Sequence, residues 1–244
     1  MMMSALSDGE RRLSTLTAVG RPGVVEKVEQ RRGVRTRMGR GLLGAVEEVK
    51  NPIIEKDLEF ESPLNIVLYP DPRLRAKNAA VRKFDAKLEA LCKEMFDVMY
   101  RTDGVGLSAP QVGVNYRVMV YNPEGVKGEG VEYVLVNPKI VSSSKKEDVF
   151  KEGCLSFPEI HADVVRPLDV KVQAQNLQGK RFSLTLKGWK ARIFQHEYDH
   201  LEGTLYHDRM TEEVREEIRE ELLALEKAYS ERTGQEPPET VQKG

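Results

Sequence analysis

The sequence has little cysteine, little histidine, no long hydrophobic stretch and almost no net charge. Two cysteines in 244 residues exclude a framework of disulfides and favour a reducing compartment. No apolar run approaches the ~18 residues of a transmembrane helix, so we expect no membrane insertion. The formal net charge of -1 gives no sign of a DNA partner. The length suits one globular domain of ordinary size with additional residues.

Two of the four histidines stand four residues apart, as His196 and His200, and Glu197 directly follows the first. Four residues turn a helix through about 400°, so the two imidazoles lie one above the other on one face. Two imidazoles at that spacing can bind one divalent metal ion. Glu197 lies one step round the helix, where it can reach a water on the metal but is badly placed to be a ligand. The spacing therefore predicts two ligands and a general base, although so short a motif also arises by chance on surface helices.

A catalytic metal site of this kind needs a third protein ligand and an open position. Cys154 is the first candidate, because it lies on a short segment between glycine and proline and its thiolate would complete a His₂Cys set. His161 and His207 are its rivals. Cys92 falls on the apolar stripe of a predicted helix, so we expect it in the core without a chemical role.

The first 40 residues differ from the rest, because they contain nine basic and only four acidic residues. They are also rich in serine and threonine and lack a continuous hydrophobic core. That combination is typical of an organellar transit peptide rather than a secretory signal, and a disordered basic arm is the alternative. We therefore predict a largely disordered transit peptide and linker at 1–60, a folded domain at 61–232 and a disordered tail at 233–244.

Hydrophobic periodicity predicts a mixed α+β domain. Strands are expected at 64–68, 117–121, 133–136, 170–174 and 182–186, and the last two should form a hairpin around Gln178 and Gly179. Helices are expected at 84–99, at 190–201 with the histidine motif, and at 211–232. The predicted fold is α+β, with mostly antiparallel sheets around a central helix that carries H-E-x-x-H, and with a C-terminal helix.

Three segments, in this order, resemble the signature motifs of the peptide deformylases. Residues 104–111 read Gly-Val-Gly-Leu-Ser-Ala-Pro-Gln, residues 152–156 read Glu-Gly-Cys-Leu-Ser, and residues 195–201 read Gln-His-Glu-Tyr-Asp-His-Leu. The resemblance extends over about residues 63–231 and identifies the 61–232 domain as catalytic. It implies a metal-dependent hydrolase that removes the formyl group from the N-terminal formyl-methionine of nascent organellar proteins.

The resemblance also implies roles for individual residues. Cys154, His196 and His200 match the metal ligands of the family, and Glu197 matches its catalytic acid/base. The carbonyl-oxygen donors that it implies are the side chain of Gln111 and the backbone N–H of Leu155. The positions that it implies for holding the methionine side chain and the peptide backbone are Val105, Gly106, Gly153 and Ile193. Ser108, where many members have alanine, and His161 depart from the family pattern, and we expect neither to touch the chemistry.

The metal and the compartment follow from the same resemblance. It implies one divalent ion, Fe²⁺ in the cell, with Zn²⁺, Ni²⁺ or Co²⁺ as substitutes. The long basic front and the helical C-terminal end resemble the plant and algal organellar branch, which implies the plastid stroma, with the mitochondrial matrix as the alternative. Residues 211–232 contain eight acidic and four basic residues, so we expect at most a weak contact between this segment and the organellar ribosome.

Two alternative functions are compatible with the histidine motif. An H-E-x-x-H metallo-endopeptidase would use the same base, but such enzymes commonly take histidine or glutamate as the third ligand. The longer motif of metzincins also fails here, because Gly203 stands where it would continue and His207 falls out of its register. A ribosome-docking scaffold that has kept the fold and lost activity is disfavoured, because every ligand and the base are present.

Overall fold

The computed structural model describes residues 57–241. The helices are α1 (Ala86–Arg101), α2 (Gly188–Leu201), α3 (Glu212–Glu217) and α4 (Arg219–Thr233). The strands are β1 (Gly106–Ser108), β2 (Val118–Tyr121), β3 (Tyr133–Ser143), β4 (Glu147–Cys154), β5 (Phe157–Pro167), β6 (Asp169–Gln175) and β7 (Arg181–Lys187). Short 3₁₀ helices lie at Pro72–Leu74, Ala109–Val112 and Tyr206–Arg209. Nearly all of the predicted transit peptide and linker lies outside the described residues.

Two antiparallel sheets surround the second helix. Five strands pair in the order β1-β2-β3-β6-β7, and β4 pairs with β5 in a separate two-stranded sheet. Helix α2 packs against β1, β2, β6 and β7 of the first sheet and against β5 of the second, while α1 covers β1 and β2. This arrangement confirms the α+β fold with a central helix. Within residues 57–241, no helix is long and apolar enough to cross a membrane.

Helices α1 and α2 form close to where the periodicity predicts them. Asp85 caps α1, because its side chain accepts hydrogen bonds from the backbone N–H groups of Lys87 and Leu88. Cys92 lies on the buried face of α1, as predicted. Helix α2 stops two residues before Gly203, whose φ of 71° suits glycine. A Cβ there would lie 3.0 Å from a backbone oxygen of the chain before α1, so glycine also permits this close approach.

The hairpin of β6 and β7 is confirmed, with a full register from Asp169 opposite Lys187 to Gln175 opposite Arg181. The strand predicted at 64–68 is wrong. Its backbone instead makes single hydrogen bonds with loops near the histidine helix: Val67 N–H donates to the Gln111 carbonyl at 2.8 Å. Two residues on, Tyr69 N–H donates to the Ser156 carbonyl at 2.9 Å. A β-strand needs a repeated series of backbone hydrogen bonds with a neighbouring strand, and single hydrogen bonds to separate carbonyl groups do not provide one.

Strands β4 and β5 were not predicted. The first five of the eight β4 residues are exposed, and most of them are charged. The strand therefore shows no alternation of apolar and polar residues before it enters the core at Glu152.

The C-terminal segment also differs from expectation, because the single predicted helix is divided at Ile218 into α3 and α4. Beyond α4, two residues of the predicted disordered tail make contacts. The Glu239 carboxylate pairs with Arg75, and Val241 N–H donates to Glu226 at 2.7 Å.

A second apolar cluster, separate from the main core, surrounds His207. Its ring lies against Tyr69 and Phe157, with centroids 5.2 and 5.3 Å away. Burial lowers the pKa of His207 to about 4. The nearby Asp208 carboxylate offsets part of this effect, and the positive charge of Arg75 adds to it. Because the folded pKa lies below the unfolded value of about 6.5, the unfolded chain takes up the proton first as pH falls. His207 therefore costs stability between about pH 6.5 and pH 4.

We expect His207→Gln to lose less stability between pH 7 and pH 5 than the wild type does. At pH 5 the protonation of the unfolded histidine costs about 2 kcal/mol, and a glutamine does not titrate. Urea unfolding of both proteins at pH 7 and pH 5 measures the difference directly. If the two proteins lose equal stability between these pH values, the buried neutral His207 has no part in acid unfolding.

Candidate metal centre

Strand β4 and helix α2 bring three soft or nitrogen ligands together. Cys154 is the last residue of β4, and His196 and His200 lie on the face of α2 that meets it. The sulfur and the nearest ring nitrogens all lie within 4.8 Å of one another, and all three residues are buried. Within the part of the chain that the structure describes, these three side chains form the cluster that could hold a metal ion. The rivals are not part of this group: the His207 ring packs against Tyr69 and Phe157, and His161 stands on β5 with Nδ1 3.3 Å from the Glu159 carbonyl.

The donor set fits a divalent transition metal. Cys154 Sγ lies 3.3 Å from His200 Nε2, and His196 Nε2 is buried without a hydrogen-bond partner. Burial opposes a charge on His196, but Cys154 and Glu152 together raise its pKa to about 10. The surroundings thus favour positive charge at this point. A thiolate with two imidazoles is a known ligand set for Zn²⁺ and suits Fe²⁺ as well.

A buried carboxylate orients the first histidine. Glu152 Oε2 lies 2.9 Å from His196 Nδ1, so Nδ1–H donates to it and Nε2 is left to face the metal position. Arg166 donates to both oxygens of Glu152, at 2.6 and 2.9 Å, and Arg192 donates to Oε1 at 3.0 Å. Burial works against the charge, but Arg166 and the hydrogen bond from His196 hold the pKa of Glu152 well below its ordinary value. Glu152 therefore stays ionised and fixes the tautomer of His196.

The charge network continues to the end of the helix. Arg166 also donates to Asp199 Oδ2 at 2.7 Å, and Arg209 donates to Asp199 Oδ1 at 2.7 Å. One guanidinium therefore connects the carboxylate beside His196 with a carboxylate next to His200. The network joins β4, β5, α2 and the 3₁₀ helix at Tyr206–Arg209, so it ties the ligand-bearing elements to each other.

Glu197 is fully buried beside the ligands. Its Oε1 has no hydrogen-bond partner, and burial raises its pKa to about 7. Gly106 leaves room for it, because a Cβ there would lie 2.7 Å from Oε1. Ser108 corrects one expectation: its hydroxyl lies 2.8 Å from Glu197 Oε2 and 2.7 Å from the Glu197 carbonyl oxygen. The residue that departs from the family pattern thus touches the predicted acid/base directly.

Gln111 reaches the same centre from the 3₁₀ helix that follows β1. Its Oε1 accepts a hydrogen bond from Ser108 N–H at 2.8 Å, and its Nε2 lies 3.5 Å from Cys154 Sγ. The Gln111 side chain is completely buried. Leu155 follows Cys154 directly and is also buried. Gln111 and Leu155 therefore both lie next to Cys154, and their role as carbonyl-oxygen donors stays a prediction.

The predicted peptide-binding residues are all buried. Gly106 adjoins Glu197, and Gly153 precedes Cys154 and pairs with His161 across β4 and β5. Val105 and Ile193 belong to the main core cluster. Their contact with a methionine side chain or a peptide backbone remains a prediction.

Sequence reasoning missed the residues that support the centre: Ser108, Glu152, Arg166, Arg192 and Asp199. One signal was available for Arg166. Along β5 the buried positions alternate through Ile160, Ala162 and Val164, and Arg166 takes the next inward position. A cation on the buried face of a strand requires a buried acid, which Glu152 of the neighbouring strand supplies.

Comparison with known proteins agrees with this geometry. Residues 63–216 match the family described as "Polypeptide deformylase". Peptide deformylase 1B, chloroplastic/mitochondrial, of Arabidopsis thaliana is 61% identical over 186 residues, which cover 76% of this chain and 68% of the relative. Chloroplastic peptide deformylase 1B of Oryza sativa subsp. japonica is 57% identical over 186 residues, which cover 76% of this chain and 69% of the relative.

Solved structures share the fold as well as the sequence. A plant peptide deformylase PDF1B crystal structure matches with a TM-score of 0.74 at 61% identity, over 75% of this chain and 100% of that one. The peptide deformylase of Plasmodium falciparum matches with a TM-score of 0.67 at 41% identity, over 70% of this chain and 100% of that one. The chain therefore belongs to the polypeptide deformylase family, in its plant organellar branch, and is a metal-dependent hydrolase that removes the N-terminal formyl group from nascent peptides.

Proposed function

We propose that deformylation takes place at the centre formed by Cys154, His196 and His200, with Glu197 as the catalytic acid/base. The observation that carries this assignment is the unpartnered Oε1 of Glu197, buried beside three converging ligand atoms. A buried carboxylate oxygen without a partner costs free energy unless a bound group completes its hydrogen bonds. A water molecule or the amine of the substrate would do so here.

A formamide resists attack by neutral water, so the reaction needs an activated nucleophile. A divalent ion held by the three ligands would lower the pKa of water from 15.7 toward ~7. The carboxylate of Glu197 accepts the proton as the water attacks the formyl carbon, and it returns the proton to the leaving amine nitrogen. A pKa near 7 suits both transfers, because the group must gain and lose a proton in each turnover.

Gln111 and Leu155 bind the oxygen that becomes negative during attack. The Gln111 Nε2 hydrogen and the Leu155 N–H are fixed donors in a buried site, so they stabilise developing charge without reorganising. Loss of one such donor typically costs ~10²–10³ in rate. The peptide itself is held by Val105, Gly106, Gly153 and Ile193, and the glycines allow its backbone to approach Glu197 and Cys154 closely.

Formate release tests the assignment against an endopeptidase. The full chain is incubated with formyl-Met-Ala-Ser, with unformylated Met-Ala-Ser and with a longer formylated peptide that has internal bonds open to cleavage. We expect formate and free amine from the formylated substrates and no internal cleavage. Internal fragments without formate would establish the endopeptidase, and neither product from a metal-loaded sample would favour the scaffold.

The native metal is proposed to be Fe²⁺, with Zn²⁺, Ni²⁺ and Co²⁺ as substitutes. The thiolate of Cys154 would weaken the ion as a Lewis acid, and Fe²⁺ would tolerate a change in its number of ligands during the reaction better than Zn²⁺ would. We expect anaerobically prepared iron protein to turn over faster than a matched zinc sample and to lose activity in air. Mass spectrometry of Cys154 after exposure to air should show sulfenic or sulfinic acid. Equal rates for the two metals, or an iron form with unmodified Cys154 after air exposure, would contradict this assignment.

We propose that residues 1–60 direct the protein to the plastid stroma, with the mitochondrial matrix as the alternative, and that residues 61–232 form the catalytic domain. The excess of basic over acidic residues in the first 40 positions supports a targeting role. Fluorescent fusions with and without residues 1–55 separate the two organelles and test whether the segment is needed.

Contact with the ribosome is proposed to be weak, because α3 and α4 carry an excess of acidic residues. Tight, salt-sensitive ribosome binding that disappears without residues 211–244 would contradict it.

A further inference from the structure

One residue at the end of β1 reaches both groups to which we assign the proton transfer and the oxyanion contact. Ser108 is completely buried. Its backbone N–H donates to Gln111 Oε1 at 2.8 Å, and its hydroxyl lies 2.8 Å from Glu197 Oε2. Both partners come from different elements, so Ser108 connects the 3₁₀ helix at Ala109–Val112 with α2.

The backbone contact fixes the orientation of the Gln111 amide. An N–H group is only a donor, so it must face the carbonyl oxygen of that side chain and not its NH₂ group. The NH₂ group then points the other way, toward Cys154 Sγ at 3.5 Å. A flipped amide would place two donors against each other at Ser108 and remove the donor from the site. This orientation needs only the Ser108 backbone, so any residue at this position except proline would preserve it.

The hydroxyl contact distinguishes the two oxygens of Glu197. Ser108 has a single hydroxyl proton and two acceptors, Oε2 and the Glu197 carbonyl oxygen, at 2.8 and 2.7 Å. The carbonyl lies within α2 and an ionised carboxylate accepts a stronger hydrogen bond, so the proton goes to Oε2. Oε1 stays without a partner against the backbone of Gly106. One carboxylate oxygen is therefore tethered and the other is free.

We propose that Ser108 is a positioning residue, whose hydroxyl tethers Glu197 Oε2 so that Oε1 is the oxygen that exchanges the proton with water and amine. This inference rests on the proposed role of Glu197. Without the hydroxyl, the carboxylate can rotate away from the attacking water. Substrate binding and the metal ligands do not depend on the tether, so the loss should fall on kcat and not on KM.

The test compares Ser108→Ala with Ser156→Ala. Both replace a fully buried serine, but the Ser156 hydroxyl has no hydrogen-bond partner. A hydrogen bond to a charged group corresponds to about 10- to 100-fold in rate, so Ser108→Ala should lower kcat for formyl-Met-Ala-Ser by about that factor. KM, metal content and melting temperature should stay near those of Ser156→Ala, which should keep wild-type kcat. A Ser108→Ala kcat within twofold of wild type would overturn the proposal, whereas absence of formate release by the wild type would overturn the function itself.

A double-mutant cycle separates positioning from a general structural effect. Glu197→Asp keeps a carboxylate but withdraws it from the reach of Ser108 by one methylene group. If the hydroxyl acts through the carboxylate, Ser108→Ala should change kcat of Glu197→Asp by less than about twofold. An equal fractional loss in both backgrounds would show that the hydroxyl acts elsewhere. Ser108→Thr retains the hydroxyl and should recover most of the kcat lost in Ser108→Ala, and failure of a folded, metal-loaded threonine variant to do so would also count against the tether.

Discussion

Glu197→Gln should fold and bind metal as the wild type does and lose at least about 100-fold in turnover. The amide has nearly the same shape, and its oxygen can accept the hydrogen bond from the Ser108 hydroxyl that Oε2 now accepts. It cannot accept a proton from water or return one to the leaving amine. Because burial already disfavours the charge of Glu197, the neutral side chain should not reduce stability.

Formate release per bound metal measures this effect, with Glu202→Gln as the control. Glu202 follows the last residue of α2, but its side chain is partly exposed and pairs with Arg117 at 2.7 Å. The same change of charge at that position should leave the turnover unaltered. Activity of Glu197→Gln within tenfold of the wild type would remove Glu197 from the proton transfer, whatever its position.

The parts of the fold that follow from local periodicity could be predicted from the sequence. Helix α1 has an apolar stripe and an aspartate cap, and the β6–β7 hairpin has alternating strands around Gly179, whose φ is 75°. The ligand pair His196 and His200 belongs to the same class, because a spacing of four on a helix fixes their relation. Each of these features depends on residues that are neighbours in sequence.

What could not be predicted depends on partners that are distant in sequence. The segment at 64–68 has residue types that are common in strands. Its backbone, however, bonds to single carbonyl groups of other segments, as Val67 N–H does to the Gln111 carbonyl, and not to a neighbouring strand. Strand β4 has an exposed, charged outer part, so composition gave no sign of its pairing with β5. The constrained segment and the thiolate favour Cys154 over His161 and His207, and the family motif agrees, but spacing along the chain does not show which of them meets α2.

Ser108 shows the limit of reasoning from a family pattern. The family pattern, with alanine at this position in many members, predicts no contact of Ser108 with the chemistry. The structure places its hydroxyl 2.8 Å from Glu197 Oε2, a contact across 89 positions of the chain. Only the approach of β1 to α2, which Gly106 permits, turns that extra oxygen into a hydrogen bond to the acid/base.

The second large effect is expected for Glu152→Gln, which should weaken both the fold and the metal site. Glu152 accepts hydrogen bonds from Arg166 Nε and Arg192 Nη1 at Oε1. It accepts from Arg166 Nη2 and His196 Nδ1 at Oε2. A glutamine has one oxygen, so its NH₂ group must face one of these pairs of donors. Two buried donors then lose their acceptor, and two guanidinium groups lose the charge that neutralises them.

The size of the loss follows from the burial of the whole network. Removing one partner of a buried ion pair costs about 3–5 kcal/mol, whereas an exposed pair such as Arg117 with Glu202 contributes about 0–1 kcal/mol. Urea unfolding of metal-free Glu152→Gln and Glu202→Gln measures this difference without a contribution from the metal. A loss below about 1 kcal/mol in Glu152→Gln would mean that the network relaxes around the amide.

Metal affinity provides the independent half of the same prediction. The Glu152 carboxylate holds the proton of His196 on Nδ1 and leaves Nε2 for the metal, and it also makes the imidazole a better donor. Loss of such a supporting carboxylate typically lowers metal affinity about 10- to 100-fold. Competition with a chelator should therefore remove the ion from Glu152→Gln at a correspondingly lower chelator concentration than from Glu202→Gln. If the stability falls but the affinity does not, Glu152 holds β4 to β5 and α2 without acting on His196, and the orientation of that ligand comes from the packing of α2 alone.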